Sequence, residues 1–298
     1  MDSMGRRLLA AGILTTAVAL PARAADRPEK VNVLIVDGQN GHDWKATTPV
    51  IRDMLLKTER FSVDVATSPP AKGAPRDAWD AFRPGFAKYG VVVVNYAGQP
   101  WPAEVQKAFE KYVDDGGGVV AYHFAVSSWP QWAEWNKMIG LGWRDAKFGD
   151  RLYLDEAGKL VRQPKGEGPG RGHGPGHAFE VTVRDANHPI MRGFPAKWVN
   201  AKDELYHGQR GPAENMHILL SSFSAKDKGG TGVHEPMAWT VSYGKGRVFV
   251  DLLGHDATCL AHAGSAAMLC RGAEWAATGK VTLPAPKDLS AAATPPAK

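Results

Sequence analysis

Three histidines follow short apolar runs and carry the side chain best suited to move a proton near pH 7. His42 lies in Gly41-His42-Asp43-Trp44, His123 follows Gly118–Tyr122, and His255 lies in Gly254-His255-Asp256. Glu204, within Asp203–His207, is the carboxylate that could join them. Here His123 is the candidate base and His42 the candidate acid, with Glu204 able to take either part. Neutral imidazoles with one carboxylate also suit Zn²⁺ or Mn²⁺, so His42, His123, His255 and Glu204 form a candidate ligand set for a divalent metal. Asp43, Asn95, Tyr96, His255 and Asp256 are candidates to bind a substrate. Trp44 and Trp239 join them, since an indole face offers apolar contact and its edge a hydrogen-bond donor. Each residue also has an ordinary structural role open to it. His123 could bond a backbone carbonyl, and Asp43 or Asp256 could cap a helix. Trp129, Trp132 and Trp135, spaced at three, could pack in the core or offer a platform.

For these residues to meet, the strands before them must share one direction. Val31–Val36, Val63–Ala66, Val91–Asn95 and Val119–Tyr122 read as strands. Residues 47–57 read as a helix capped by Thr47 or Thr48, with Pro49 in its first turn. Pro102 opens a second helix with Val105, Phe109 and Tyr112 on one stripe, ended by Gly116–Gly118. This β-α-β-α alternation implies a parallel sheet with right-handed crossovers, and such sheets bind ligands beyond their carboxyl ends.

The second half predicts a helix over 129–141, strands at Phe179–Val183 and His217–Phe223, and an antiparallel hairpin of Pro236–Tyr243 with Arg247–Leu253. A helix over 262–277 closes the chain. Residues 164–177 hold six Gly and three Pro and read as a loop in which His173 and His177 are solvated. The expected fold class is α/β, with a mostly parallel sheet, helices on both faces and an antiparallel addition in the second half. The domain spans residues 25–280, and 281–298 read as a flexible tail.

The 298 residues carry 36 Lys and Arg against 31 Asp and Glu, a net charge of +5. With no run of five like charges, nucleic acid is not an expected partner. No G-x-G-x-x-G follows a strand, and no Walker A, G-x-S-x-G, H-E-x-x-H or C-x-x-C occurs, so nucleotide, serine-elbow and familiar zinc frameworks lose support. Arg6-Arg7, an apolar stretch over Leu8–Leu20 and Ala22-Arg23-Ala24 read as a secretory signal peptide over residues 1–24. The mature protein is then expected to be periplasmic or secreted, with no membrane association after cleavage. Cys259 and Cys270 are expected to be buried free thiols, because eleven residues along one helix separate them by about 16 Å.

Taken together, the motifs resemble the ThuA-like (trehalose utilisation) family, whose fold is similar to class I glutamine amidotransferases. The matching pieces are Gly41–Trp44, Gly116–His123, His188-Pro189-Ile190, Asp203–Tyr206, Pro236–Trp239, Gly244–Phe249, Gly254–Asp256 and Glu274-Trp275-Ala276. They span about residues 31–280. The Gly/Pro/His loop at 164–177 departs from the usual pattern. The resemblance implies a flavodoxin-like sheet, a small-molecule carbohydrate partner and a context of oxidised, 3-keto sugars. It also implies that the chain is not a glutaminase, because the turn that bears a nucleophilic cysteine in the amidotransferase-like fold carries His123 here. A lyase, hydrolase or isomerase acting on a keto-glycoside by histidine acid/base chemistry is the first expectation. A non-catalytic sugar-binding or accessory protein is the alternative.

Overall fold

A computed structural model of the chain describes Met1, residues 29–287 and Leu289. The signal-peptide reading of residues 1–24 lies outside the described residues. The first half alternates as expected: β1 (Val31–Asp37), α1 (Trp44–Lys57), β2 (Phe61–Thr67), α2 (Arg76–Ala81), β3 (Val91–Val94), α3 (Ala103–Asp114) and β4 (Gly118–Tyr122). The second half contains α4 (Ala133–Ile139), β5 (Arg151–Leu154), β6 (Leu160–Gln163), β7 (His177–Val183), β8 (Lys197–Asp203), β9 (Met216–Phe223), β10 (His234–Tyr243) and β11 (Gly246–Asp251). Two helices, α5 (Ala257–Leu260) and α6 (Ala263–Thr278), end it.

Among the described residues these strands form one sheet of order β2-β1-β3-β4-β11-β10-β9-β7-β8, with β5 paired to β10 and β6 to β5. The five strands from β2 to β11 run parallel, and the rest are antiparallel. The four valines of β3 are fully buried, as a β-branched run covered on both faces requires. Helices α1, α5 and α6 contact one another on one side. On the other, α3 and α4 share a cluster in which Trp101, Phe109, Trp129, Trp132 and Trp135 lie ring against ring. Each aromatic removes about 150–250 Å² from water, about 4–6 kcal/mol of apolar burial apiece. Trp129, Trp132 and Trp135 are therefore core residues and not a platform.

Two local departures have physical causes. Asp43, not Thr47 or Thr48, caps α1, accepting from Ala46 N at 3.1 Å, so the helix starts at Trp44 and Pro49 lies inside it on an exposed position. The expected helix over 129–141 shortens to α4, because Pro130 follows Trp129, whose φ is +44°.

The antiparallel part curls back over the carboxyl rim of the parallel part. Ser265 Oγ at the start of α6 donates to Asn200 Oδ1 of β8 at 3.1 Å. Asp203, the last residue of β8, accepts from the backbone N–H of Gly254 (2.7 Å) and His255 (3.0 Å) beyond β11. Cys259 in α5 and Cys270 in α6 are buried and free, as expected. The tail reading needs correcting at its start. The buried Glu274 carboxylate accepts from Thr282 N (2.8 Å) and Leu283 N (3.0 Å), which docks the chain beyond residue 281.

Candidate functional site

The parallel strands deliver His42, His123 and His255 to one rim. His42 sits in the turn between β1 and α1, where its N–H donates to Asn40 Oδ1 at 3.0 Å. Asn40 Nδ2 in turn donates to Asn95 Oδ1 at 3.2 Å, and Asn95 Nδ2 donates to the hydroxyls of Thr47 and Thr48. Asn95 therefore fixes the loop bearing His42 and is itself buried. His123 opens the turn after β4 with φ +45°, a left-handed conformation that costs a non-glycine residue about 1–3 kcal/mol and is commonest at functional sites. Its Nδ1 donates to Leu252 O at 2.8 Å, the structural bond that was open to it. That bond fixes the tautomer, so Nε2 carries a lone pair. His255 follows β11, and Asp203 holds its backbone. Asp256 caps α5, accepting from Thr258 N and Cys259 N at 2.8 Å each.

Glu204, directly after β8, is the point on which the histidines converge. Its Oε2 lies 3.1 Å from His255 Nδ1, 3.7 Å from His123 Nε2 and 4.0 Å from His42 Nε2. One donor atom from each of the four residues lies within 4.8 Å of all the others. Glu204 Oε2 and His255 Nδ1 are buried, yet neither has a hydrogen-bond partner. They are close but aimed past one another, as two donors aimed at a common third atom would be. Donors bound to one small cation at about 2.0–2.1 Å stand roughly 3–4 Å apart, and donor atoms already within 4.8 Å of one another are those a divalent metal could draw together.

The electrostatics agree with that donor chemistry. Burial pushes His42 down to about 3, helped by His123 and His255 and opposed by Glu204. His42 is thus a neutral imidazole at pH 7, the state a metal needs. The same shift removes it as the proton donor expected from sequence. Burial raises Glu204, but His123 and the other neighbouring histidines outweigh this and bring it to about 2. The site therefore presents an anionic carboxylate among imidazoles.

A family model described as trehalose utilisation matches residues 32–276. The chain belongs to the ThuA family. A ThuA-like protein from Parabacteroides merdae ATCC 43184 shares 38% identity, with a TM-score of 0.82 over 88% of this chain and 95% of that one. Another, from Bacteroides uniformis ATCC 8492, shares the fold at 20% identity, with a TM-score of 0.56 over 89% of this chain and 97% of that one. No curated protein matches the sequence.

In this ThuA-family chain the site also contains residues that the sequence did not single out. Tyr206 is buried, and its hydroxyl lies 3.0 Å from His123 Nε2 and 3.1 Å from His42 Nε2. Because His123 Nε2 is an acceptor, Tyr206 donates to it and accepts from His42. The 164–177 loop is exposed over most of its length, His173 included, but it is anchored. The fully buried Arg210 guanidinium donates to the carbonyls of Pro164, Glu167 and Pro169, and Gly172 and His207 exchange both backbone bonds. So held, the loop brings His173 Nε2 to 3.7 Å from Glu204 Oε1. His173 Nδ1 donates to Gly174 O at 2.7 Å, which leaves Nε2 as an acceptor facing the cluster. His177 stays outside, bonded to Pro175 O.

Three substrate-binding expectations are not met. Tyr96 is fully buried and its hydroxyl donates to Gln99 O at 2.7 Å. Trp239 is fully buried on β10 and donates to Ile139 O at 2.8 Å. Both are core residues: Tyr96, just beyond β3, packs on Trp101 and Trp129, and the face of β10 that carries Trp239 is covered by α4. Trp44, half-buried beside Lys45, lines a groove with Gln39, Pro70 and Gln99 that none of the four cluster residues lines.

Proposed function

We propose that this ThuA-family chain is an exported enzyme that removes a proton beside the carbonyl of an oxidised sugar, a 3-keto sugar or glycoside. Its four-residue cluster would hold a divalent metal, Zn²⁺ or Mn²⁺. The observation that carries the reading is the convergence of His42, His123 and His255 on the anionic Glu204, with Glu204 Oε2 and His255 Nδ1 buried and unbonded. Carbohydrate use comes with the family, and export rests on the composition of residues 1–24.

When bound, the cation draws electron density from the sugar carbonyl and lowers the cost of enolisation. His42, His123, His255 and Glu204 orient the carbonyl at the rim. His173, outside the ligand set and with Nε2 free to accept, takes the proton from the adjacent carbon; the electron pair of that C–H bond forms the new C=C bond as the carbonyl π pair moves onto the oxygen. Tyr206 bonds to the Nε2 atoms of His42 and His123 until a cation takes them, and its burial excludes water beneath the imidazoles. Elimination, isomerisation and hydrolysis of a 3-keto glycoside all begin with this transfer.

The test is deuterium exchange. The mature chain, supplied with Zn²⁺ or Mn²⁺, is incubated with a 3-keto glucoside in D₂O and the ring protons are followed by NMR. Exchange beside the carbonyl above a heat-inactivated control is the predicted result, with loss in His173→Ala. No exchange with either metal contradicts the reading and leaves sugar binding without turnover.

A further inference from the structure

Around the buried floor of His123 and Tyr206, the side chains that keep partial exposure are His42, Glu204, His255, Phe124, Trp143 and His173. Imidazoles and the carboxylate lie on one side of this rim and aromatic rings on the other. On the aromatic side the Trp143 ring lies 4.6 Å from Tyr206, 5.7 Å from His173 and 6.3 Å from Phe124, and Phe124 lies 4.5 Å from His42. Trp143 differs from the tryptophans of the core in exposure. Trp129, Trp132 and Trp239 spend their indole N–H on protein acceptors, and those of Trp101, Trp135 and Trp198 are buried without a partner, whereas Trp143 is half-buried and its N–H, without a protein partner among the described residues, is not enclosed.

Its backbone is fixed. Trp143 N donates to Val126 O at 3.0 Å, and the buried Arg144 guanidinium donates to the carbonyls of Ser127, Ser128 and Trp143. A half-buried indole on a fixed backbone, with a donor at its edge free of protein partners, suits a pyranose: C–H groups on the face, a hydroxyl at the edge.

We infer that Trp143 is the ring platform of the substrate site, taking a pyranose whose C–H face is unobstructed by axial hydroxyls and setting it against His173 and Glu204. The inference rests on the reading of the cluster as a carbohydrate site, but it concerns binding and not proton transfer. It replaces Trp44 and Trp239 as the aromatic contact.

The test compares wild type, Trp143→Ala and Trp143→Phe for binding of two probes, a 3-keto glucoside and the unoxidised methyl glucoside, by calorimetry, with zinc content and circular dichroism measured on each. Trp143→Ala is expected to weaken both sugars about tenfold or more, and Trp143→Phe about threefold or less. Zinc content is unchanged, and in turnover the loss falls on KM more than on kcat. Sugar binding that depends on Trp143 without any deuterium exchange keeps the platform and refutes the carbon-acid chemistry. Exchange with an unaltered KM in a folded Trp143→Ala refutes the platform and keeps the chemistry. Failure of wild type to bind either sugar refutes the platform outright.

Discussion

Replacing Tyr206 by Phe should tighten metal binding while weakening the metal-free fold. Among the described residues the hydroxyl is the one hydrogen-bond partner of the Nε2 atoms of His123 and His42, at 3.0 and 3.1 Å. Both phenol and His123 are 1% exposed, so water does not readily replace the lost bonds. A buried polar group left unpaired costs about 1–3 kcal/mol, and about 2 kcal/mol is a conservative figure for the pair. In the metal-free fold that cost lowers Tm by about 4–8 °C. A cation using the same nitrogens must break these bonds in wild type but not in the variant. The 2 kcal/mol then returns as about thirtyfold tighter binding. Isothermal titration with Zn²⁺ and thermal melts with and without metal measure both effects, and zinc should restore the variant more than the wild type. Weaker zinc binding in Tyr206→Phe would mean that the hydroxyl supports the ligands and does not compete for them.

Three further outcomes follow from the structure. Asp203→Asn turns one acceptor into a donor among four N–H groups, those of Gly254, His255, Glu204 and Asn200; zinc affinity should fall about 10–100-fold, and an unchanged titration would contradict the positioning role. Burial raises Asp251 to about 8 from 3.8, so the fold holds a proton that the unfolded chain releases, and stability is lost as pH rises from about 4 to 8. Asp251→Asn keeps the oxygen that accepts from Leu253 N and should flatten that loss; parallel Tm–pH curves for the two proteins would count against it. Arg210→Lys cannot serve all the carbonyls on Arg210, so amide hydrogen exchange over 164–177 should speed up about 30–100-fold, a local loss of roughly 2–3 kcal/mol. Unchanged exchange would show that the loop is held elsewhere.

The parallel half of the fold was legible because its signals are local. An apolar run such as Val91–Val94, ended by a polar residue, marks both a buried strand and its carboxyl end. His42, His123 and His255 follow such ends and do meet. Glu204 was legible only as a neighbour of Asp203, since β8 reaches the rim through the curl of the antiparallel strands, which depends on Asp203 and Asn200 finding partners more than 50 residues away. His173 was hidden for the same reason. Glycine and proline signal a loop, but the Arg210 guanidinium and the Gly172–His207 pair decide where that loop lies. Tyr206 and Trp143 carried no periodic signal at all. Trp239 was misread because an aromatic residue on a strand shows its type but not which face is covered.

If His42, His123, His255 and Glu204 form one metal site, each folded chain binds a single cation, and metal stoichiometry reads this out. The mature chain is stripped of metal, titrated with Zn²⁺ and with Mn²⁺, and analysed by elemental mass spectrometry beside the Glu204→Ala/His255→Ala double variant. One equivalent per wild-type chain, lost in a folded double variant, is the predicted result. No stoichiometric binding by wild type, or equal binding by both proteins, would contradict it.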